Sequence, residues 1–245
     1  MKKTMLIVLM MLVLGTTMTF AAHDNAIWGT YVTYKSSTDI YITVGSGRCN
    51  GSQWELTTET TLDLYSVLPA GEDFLYIYVD DSASSYPAPT FVGSATEPAW
   101  SDSKVGWYNG DDRCIGVVWC DSNGNIVQFQ NNSSHEYFTD AYYKQVLTSG
   151  NPNGAWQTVE ATAYLPINAT AAHIYADNTD SSLVSVMVSS YENQSATIIG
   201  YTSVVAIANG WLPLARNASR DLRWFGQDND DNNFVVRING FRIER

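Results

Sequence analysis

Three histidines are the first candidates for catalytic chemistry, and their neighbours argue against it. His135-Glu136 opens like the zinc-protease pattern H-E-x-x-H, but Thr139 stands where the second histidine must be. His23 lies near the N-terminus and His173 begins a strand-like segment. A Ser-His-Asp triad needs a positioned serine, and the G-x-S-x-G elbow does not occur. Acidic clusters come next: Asp80-Asp81, Asp111-Asp112 and the run from Asp228 to Asn233. Asp228, Asp230 and Asp231 put several hard oxygen donors in one loop, the donor type that calcium takes. The Gly and Glu spacing of an EF-hand is missing, and the same cluster fits a solvated hairpin tip between Phe225 and Phe234. Two carboxylates on separate loops would suffice for a glycosidase, but no pair stands out. The remaining candidates are aromatic. Tyr86, Trp100, Trp107 and Tyr108 fall in the Pro/Ser/Gly-rich stretch 82–110 and are expected in loops. There they would stack on sugar faces or anchor a partner protein. The competing reading is that they cover one end of a β-sandwich.

The N-terminus sets the compartment. Met1, Lys2 and Lys3 precede an apolar run from Met5 to Leu14, and Thr19 and Ala21 satisfy the small-residue rule of a signal peptidase site. Residues 1–21 are therefore expected to be a cleaved signal peptide, with a cut after Ala22 as the second choice. The run is shorter than the roughly 20 residues needed to span a bilayer. Cleavage removes two of 13 basic residues and none of 25 acidic ones, so the mature charge is 11 − 25 = −14. Such a surface repels phosphate backbones and anionic lipid, so neither nucleic acid nor a membrane is an expected partner. The expected location is extracellular or periplasmic. In an oxidising compartment Cys49, Cys114 and Cys120 allow one bridge. Cys114 and Cys120 lie about 20 Å apart along one strand, so a bridge would use Cys49. Three buried, reduced cysteines are the alternative.

Strand signals dominate the elements that must carry these residues. Period-2 or β-branched and aromatic patterns cover Gly29–Tyr34, Asp39–Val44, Thr60–Val67, Asp73–Val79 and Arg113–Trp119. Asn123-Gly124 then predicts a hairpin over 113–130. Glu136–Gln145 is the one stretch read as a short helix or turn. The cluster Ser149 to Gly154 marks a boundary near residue 150. Strand patterns recur at Trp156–Leu165, Ala172–Ala176, Leu183–Ser189, Thr197–Ser203, Val204–Ile207, Asp221–Phe225 and Phe234–Ile243. The expected fold is all-β: two jelly-roll-like β-sandwich domains in tandem, 22–150 and 151–245, after the signal peptide.

Several segments keep the order found in a known group. Ile42 to Cys49 (ITVGSGRC) is followed by Phe74 to Val79 (FLYIYV) and Thr96 to Trp100 (TEPAW). Arg113 to Val118 (RCIGVV) then leads into Asp121 to Phe129 (DSNGNIVQF). This order resembles bacteriophage tail-fibre and related virion β-modules. Val159 to Pro166, Trp211 to Leu214 and Val236 to Phe241 are similar to the β-sandwich that often follows them. The resemblance implies a binding or structural module, often a homo-oligomer, with no cofactor and no catalytic set. Virion proteins assemble in the cytoplasm without an export signal, so an exported protein built from the same modules is expected. The functional expectation is a non-enzymatic surface adhesin, glycan-binding protein or fibre-like subunit with a glycan or protein partner. The alternative is a secreted carbohydrate-active hydrolase using loop carboxylates.

Overall fold

A computed structural model describes residues 26–49, 51–81, 88–133, 135–139, 144–150, 155–178, 185–190, 199–202, 206–216, 220–226 and 234–245. The expected signal peptide, Tyr86, Asp228, Asp230 and Asp231 lie outside them.

Among the described residues the regular structure is antiparallel strand, with two single-turn 3-10 helices at Tyr65–Val67 and Thr162–Tyr164. The first strands are β1 (Ile27–Trp28), β2 (Val32–Tyr34), β3 (Asp39–Ile42), β4 (Gly45–Cys49), β5 (Ser52–Leu56) and β6 (Thr60–Asp63). Next come β7 (Asp73–Val79), β8 (Phe91–Ser94), β9 (Ala99–Ser101), β10 (Gly106–Asn109) and β11 (Asp112–Cys120). β12 (Gln130–Asn131), β13 (Glu136–Phe138), β14 (Lys144–Gly150), β15 (Gln157–Val159) and β16 (Ala169–Asn178) follow. The chain finishes with β17 (Ser185–Ser190), β18 (Ile199–Thr202), β19 (Ala206–Pro213), β20 (Leu222–Gly226) and β21 (Phe234–Ile243). The order β8-β7-β11-β10-β9 makes one sheet and β12-β13-β21-β16-β19 another, with β14 also on β21. A four-stranded sheet runs β15-β20-β17-β18, and two three-stranded sheets complete the set. The all-β architecture is thus as expected from the strand patterns.

Burial follows pleat parity. In β21, Phe234, Val236 and Ile238 are buried while Val235, Arg237 and Asn239 are half-buried. Gly240 and Phe241 are both buried, so parity shifts by one there, next to a register shift in the β16–β21 ladder. Strands before residue 150 join strands after it: β13 and β14 both pair with β21. The buried core is likewise one connected cluster. It runs from Phe74 and Trp119 through Tyr137 and Phe241 to Trp224.

Three local expectations change. Glu136–Phe138 and Lys144–Gly150 are strands, not a helix or turn, because both hydrogen-bond to β21. The strand expected over Thr60–Val67 stops at Asp63 and gives way to the 3-10 turn. The hairpin does turn at Asn123-Gly124: Gly124 has φ +76°, and a Cβ there would lie 2.5 Å from Pro69 O. Asp121 Oδ1 accepts from the N–H groups of Asn123 and Asn125, both at 2.9 Å, which holds that carboxyl below its ordinary pKa. The return arm makes one bridge, Ile126 to Cys120, because Ile126, Val127 and Phe129 all turn into the core.

All three cysteines are buried and free. Burial pushes the thiol of Cys49 up to about 11 and those of Cys114 and Cys120 up to about 12.

Candidate functional site

The expected loop aromatics need correction. Trp100 sits in β9, and Trp107 and Tyr108 sit in β10. Trp107 and Tyr108 are only 2% and 3% exposed, so neither presents a face to a ligand. Trp107 Nε1 donates to Glu244 Oε2 at 3.4 Å, and Arg113 Nη1 donates to Tyr108 OH at 3.1 Å. Trp100 is half-buried with the Arg216 guanidinium 3.7 Å from its ring centroid, and its Nε1 donates to Asp102 Oδ1 at 2.7 Å. These rings close one end of the five-stranded sheet.

A different aromatic group lies on the outward face of the sheet β13-β21-β16-β19. Strand register assembles it. Phe138 of β13 pairs with Gly240 of β21, Gly240 with His173 of β16, and His173 with Trp211 of β19. The four positions form one cross-strand row, the unit in which neighbouring strands bring side chains together. Gly240 supplies no side chain. A Cβ there would lie 2.5 Å from Tyr137 O and 3.1 Å from the Phe138 ring. Phe138 and His173 therefore close over it, with ring centroids 5.3 Å apart. Trp211 completes the group, 5.3 Å from Phe138 and 5.1 Å from His173, in edge-to-face contacts. All three side chains are half-buried. The opposite face of these strands holds Tyr137, Phe241, Ala172 and Leu212, all buried in the core.

Polar groups frame the rings. In the next row Glu136 pairs with Arg242, and their side chains form an ion pair. The guanidinium also lies 5.1 Å from the Trp211 ring centroid. Asn132 Nδ2 donates to Glu136 Oε2 at 2.6 Å. The hydrogen bond from Arg242, then that from Asn132, lowers the Glu136 pKa. His173 Nδ1 is hydrogen-bonded to Asn239 Oδ1. Further along, Arg237 lies 5.5 Å from the Tyr175 ring centroid and 3.7 Å from Asp177 Oδ2. The face thus offers apolar ring surface bordered by amide, carboxylate, imidazole and guanidinium groups. That combination suits a ligand with apolar C–H patches and many hydroxyls.

A second feature is an open groove of about 740 Å³ between β7, β14 and the Thr162–Tyr164 turn. Asp73, Glu97, Glu160 and Asp221 line it together with Arg220. Two of these acids serve the fold. Asp221 Oδ1 accepts from Ala161 N at 3.1 Å and Thr162 Oγ1 at 2.8 Å. Glu97 Oε1 pairs with Arg220 at 3.4 Å and accepts from Tyr76 OH at 3.3 Å. Among the described residues no three His, Cys, Asp or Glu side chains converge to hold a metal ion.

His135 immediately precedes β13. Its backbone is in the left-handed region at φ +59°, and its N–H bonds Asn132 O at 2.9 Å. Burial first, then the charge of Arg245, lowers its pKa from 6.5 to about 4. The unfolded chain takes up this proton near pH 6.5, while the folded chain does so only near pH 4. Stability is therefore fully present above pH 6.5 and declines as pH falls toward 4. Urea unfolding at pH 7.5 and pH 4.5 should show a smaller decline in His135→Asn, a residue that tolerates the left-handed backbone. An equal decline in both proteins would remove His135 as a cause.

No family model and no curated protein matches this chain. In Ala172 to Asp177 the buried Ala172, Ile174 and Ala176 alternate with His173, Tyr175 and Asp177. That alternation marks a two-faced strand whose outer face is aromatic and polar. It was legible, but it did not reveal which strands lie alongside.

Proposed function

We propose that this chain is an exported glycan-binding protein whose ligand rests on the Phe138–His173–Trp211 face. The observation that carries the reading is the in-register row of three rings over Gly240. Sugar rings present C–H faces that stack on aromatic surface and hydroxyls that bond to neighbouring polar groups. Asn132, Glu136, Asn239 and Arg242 supply polar groups beside the rings for such hydroxyls. A protein this acidic, −14 after the expected cleavage (11 − 25), favours neutral over anionic glycans. The export signal and the resemblance to virion β-modules support a role at a cell surface or in an extracellular assembly.

The test is a glycan array probed with the mature protein, followed by titration calorimetry on the best neutral oligosaccharides. Binding in the micromolar-to-millimolar range that weakens little with added salt is expected. Failure to retain any glycan on the array would overturn the reading. Release of new reducing ends from a bound oligosaccharide would replace it with a hydrolase.

A further inference from the structure

We infer that the ring face continues along β16 into a second sugar platform at Tyr175, so that the site takes a linear, neutral oligosaccharide and not a single sugar; this rests on the glycan reading of the Phe138–His173–Trp211 group. The first observation is register. Tyr175 of β16 pairs with Arg237 of β21 on one side and with Asn209 of β19 on the other. Ile174 is buried, whereas His173 and Tyr175 are half-buried and share the outward face. Two residues of strand set their Cα atoms about 7 Å apart. The β16–β21 ladder shifts register between the two rows. His173 pairs with Gly240 and Ile174 with Ile238, which leaves Asn239 as the extra residue of β21. Asn239 Oδ1 is bonded to His173 Nδ1, so the bulge adds an amide to the face.

The second observation is that the two platforms repeat one chemistry. At the first, the Arg242 guanidinium lies 5.1 Å from the Trp211 ring centroid and is ion-paired with Glu136. At the second, the Arg237 guanidinium lies 5.5 Å from the Tyr175 ring centroid and 3.7 Å from Asp177 Oδ2. Each platform thus combines an aromatic ring, a guanidinium beside it and a carboxylate that pairs with the guanidinium.

The third observation is charge. Within each pair the charges cancel, +1 − 1 = 0, so neither platform calls for an ion. The second row ends in the exposed amide of Asn209, a donor and acceptor for hydroxyls. A locally neutral unit that recurs along one strand complements a ligand that itself repeats and carries no charge. A single sugar would cover one platform and leave the other in water. The committed occupant is therefore a chain of neutral sugars lying along β16.

The probes are three series of linear oligosaccharides, one to five sugars long, titrated into the mature protein by calorimetry. They are β-1,4-linked glucose, β-1,4-linked N-acetylglucosamine and α-1,4-linked glucose. In at least one series affinity should rise about tenfold or more between one and three sugars and then level off. Tyr175→Ala should remove about tenfold from the three-sugar affinity and leave the one-sugar affinity unchanged, while Tyr175→Phe, which keeps the ring, should retain most of the gain. Asn209→Ala, at an exposed position that the fold tolerates, should cost the three-sugar ligand about threefold and the single sugar nothing. Trp211→Ala should weaken every length. Thermal melts establish that each variant is folded. Affinity that does not change with length would overturn the inference and leave a one-sugar site on the Trp211 face. So would a length gain that survives both Tyr175→Ala and Asn209→Ala in folded protein. Failure of every length to bind, on the array and in solution, would remove the glycan reading itself and this inference with it.

Discussion

Phe241→Ala is expected to destabilise the protein by about 3–5 kcal/mol, the usual cost of deleting a buried phenyl ring. Phe241 is 7% exposed. Its ring stacks on Tyr137 at 5.1 Å and meets the edge of Phe74 at 5.8 Å, and Phe74 in turn contacts Trp119 at 4.6 Å. Residue 241 thus packs the last strand onto β7 and β11, which lie far earlier in the chain. For a chain of this size the loss corresponds to a fall in Tm of roughly 6–20 °C. The measurement also bears on domain organisation. β13 and β14 hydrogen-bond to β21, so the segments before and after residue 150 share a ladder. Thermal unfolding followed by far-UV dichroism and by tryptophan fluorescence should give coincident transitions, both shifted by Phe241→Ala. Two separate transitions, only one of them shifted, would mean that the two segments fold independently.

Trp211→Ala should reduce affinity for a neutral oligosaccharide about 30-fold, the loss of roughly 2 kcal/mol typical of an aromatic hot spot. Trp211 contacts Phe138, His173 and the Arg242 guanidinium, so its removal opens the centre of the ring group. It is half-buried on an outward face, so the fold should survive the change. Calorimetric titration alongside a thermal melt separates the two effects. Unchanged affinity in a folded variant would move the glycan site away from this face. Trp107→Ala is the instructive contrast. Trp107 is 2% exposed, so its loss should lower stability and affect binding only through unfolding.

Much of the local structure was legible without coordinates. Asp73–Val79 and Arg113–Trp119 read as strands from their dense aromatic and β-branched content, and they pair as the central strands of one sheet. Asn123-Gly124 read as a turn because glycine accepts a positive φ, and Gly124 has one. Other readings failed where local composition misled. The stretch 82–110 looked like loop because of its Pro, Ser and Gly, yet Gly106 opens a buried strand. Its missing side chain makes room for Arg113, whose Cζ would lie 3.1 Å from a Cβ placed there. Glu136 to Gln145 looked helical or turned because its strand pairing comes from β21, a hundred residues away.

The sequence by itself determined an acidic, strand-rich chain with alternating faces and several well-placed turns. Those are properties of neighbouring residues, and period-2 patterning and turn chemistry act over a few positions. Only the tertiary structure decided which aromatics are buried and which are presented. Residues 138, 173, 211 and 240 meet because four strands align in register, and glycine at 240 lets two rings close over the gap. Register is set by long-range backbone pairing and by packing of the opposite face. No short window of sequence contains it.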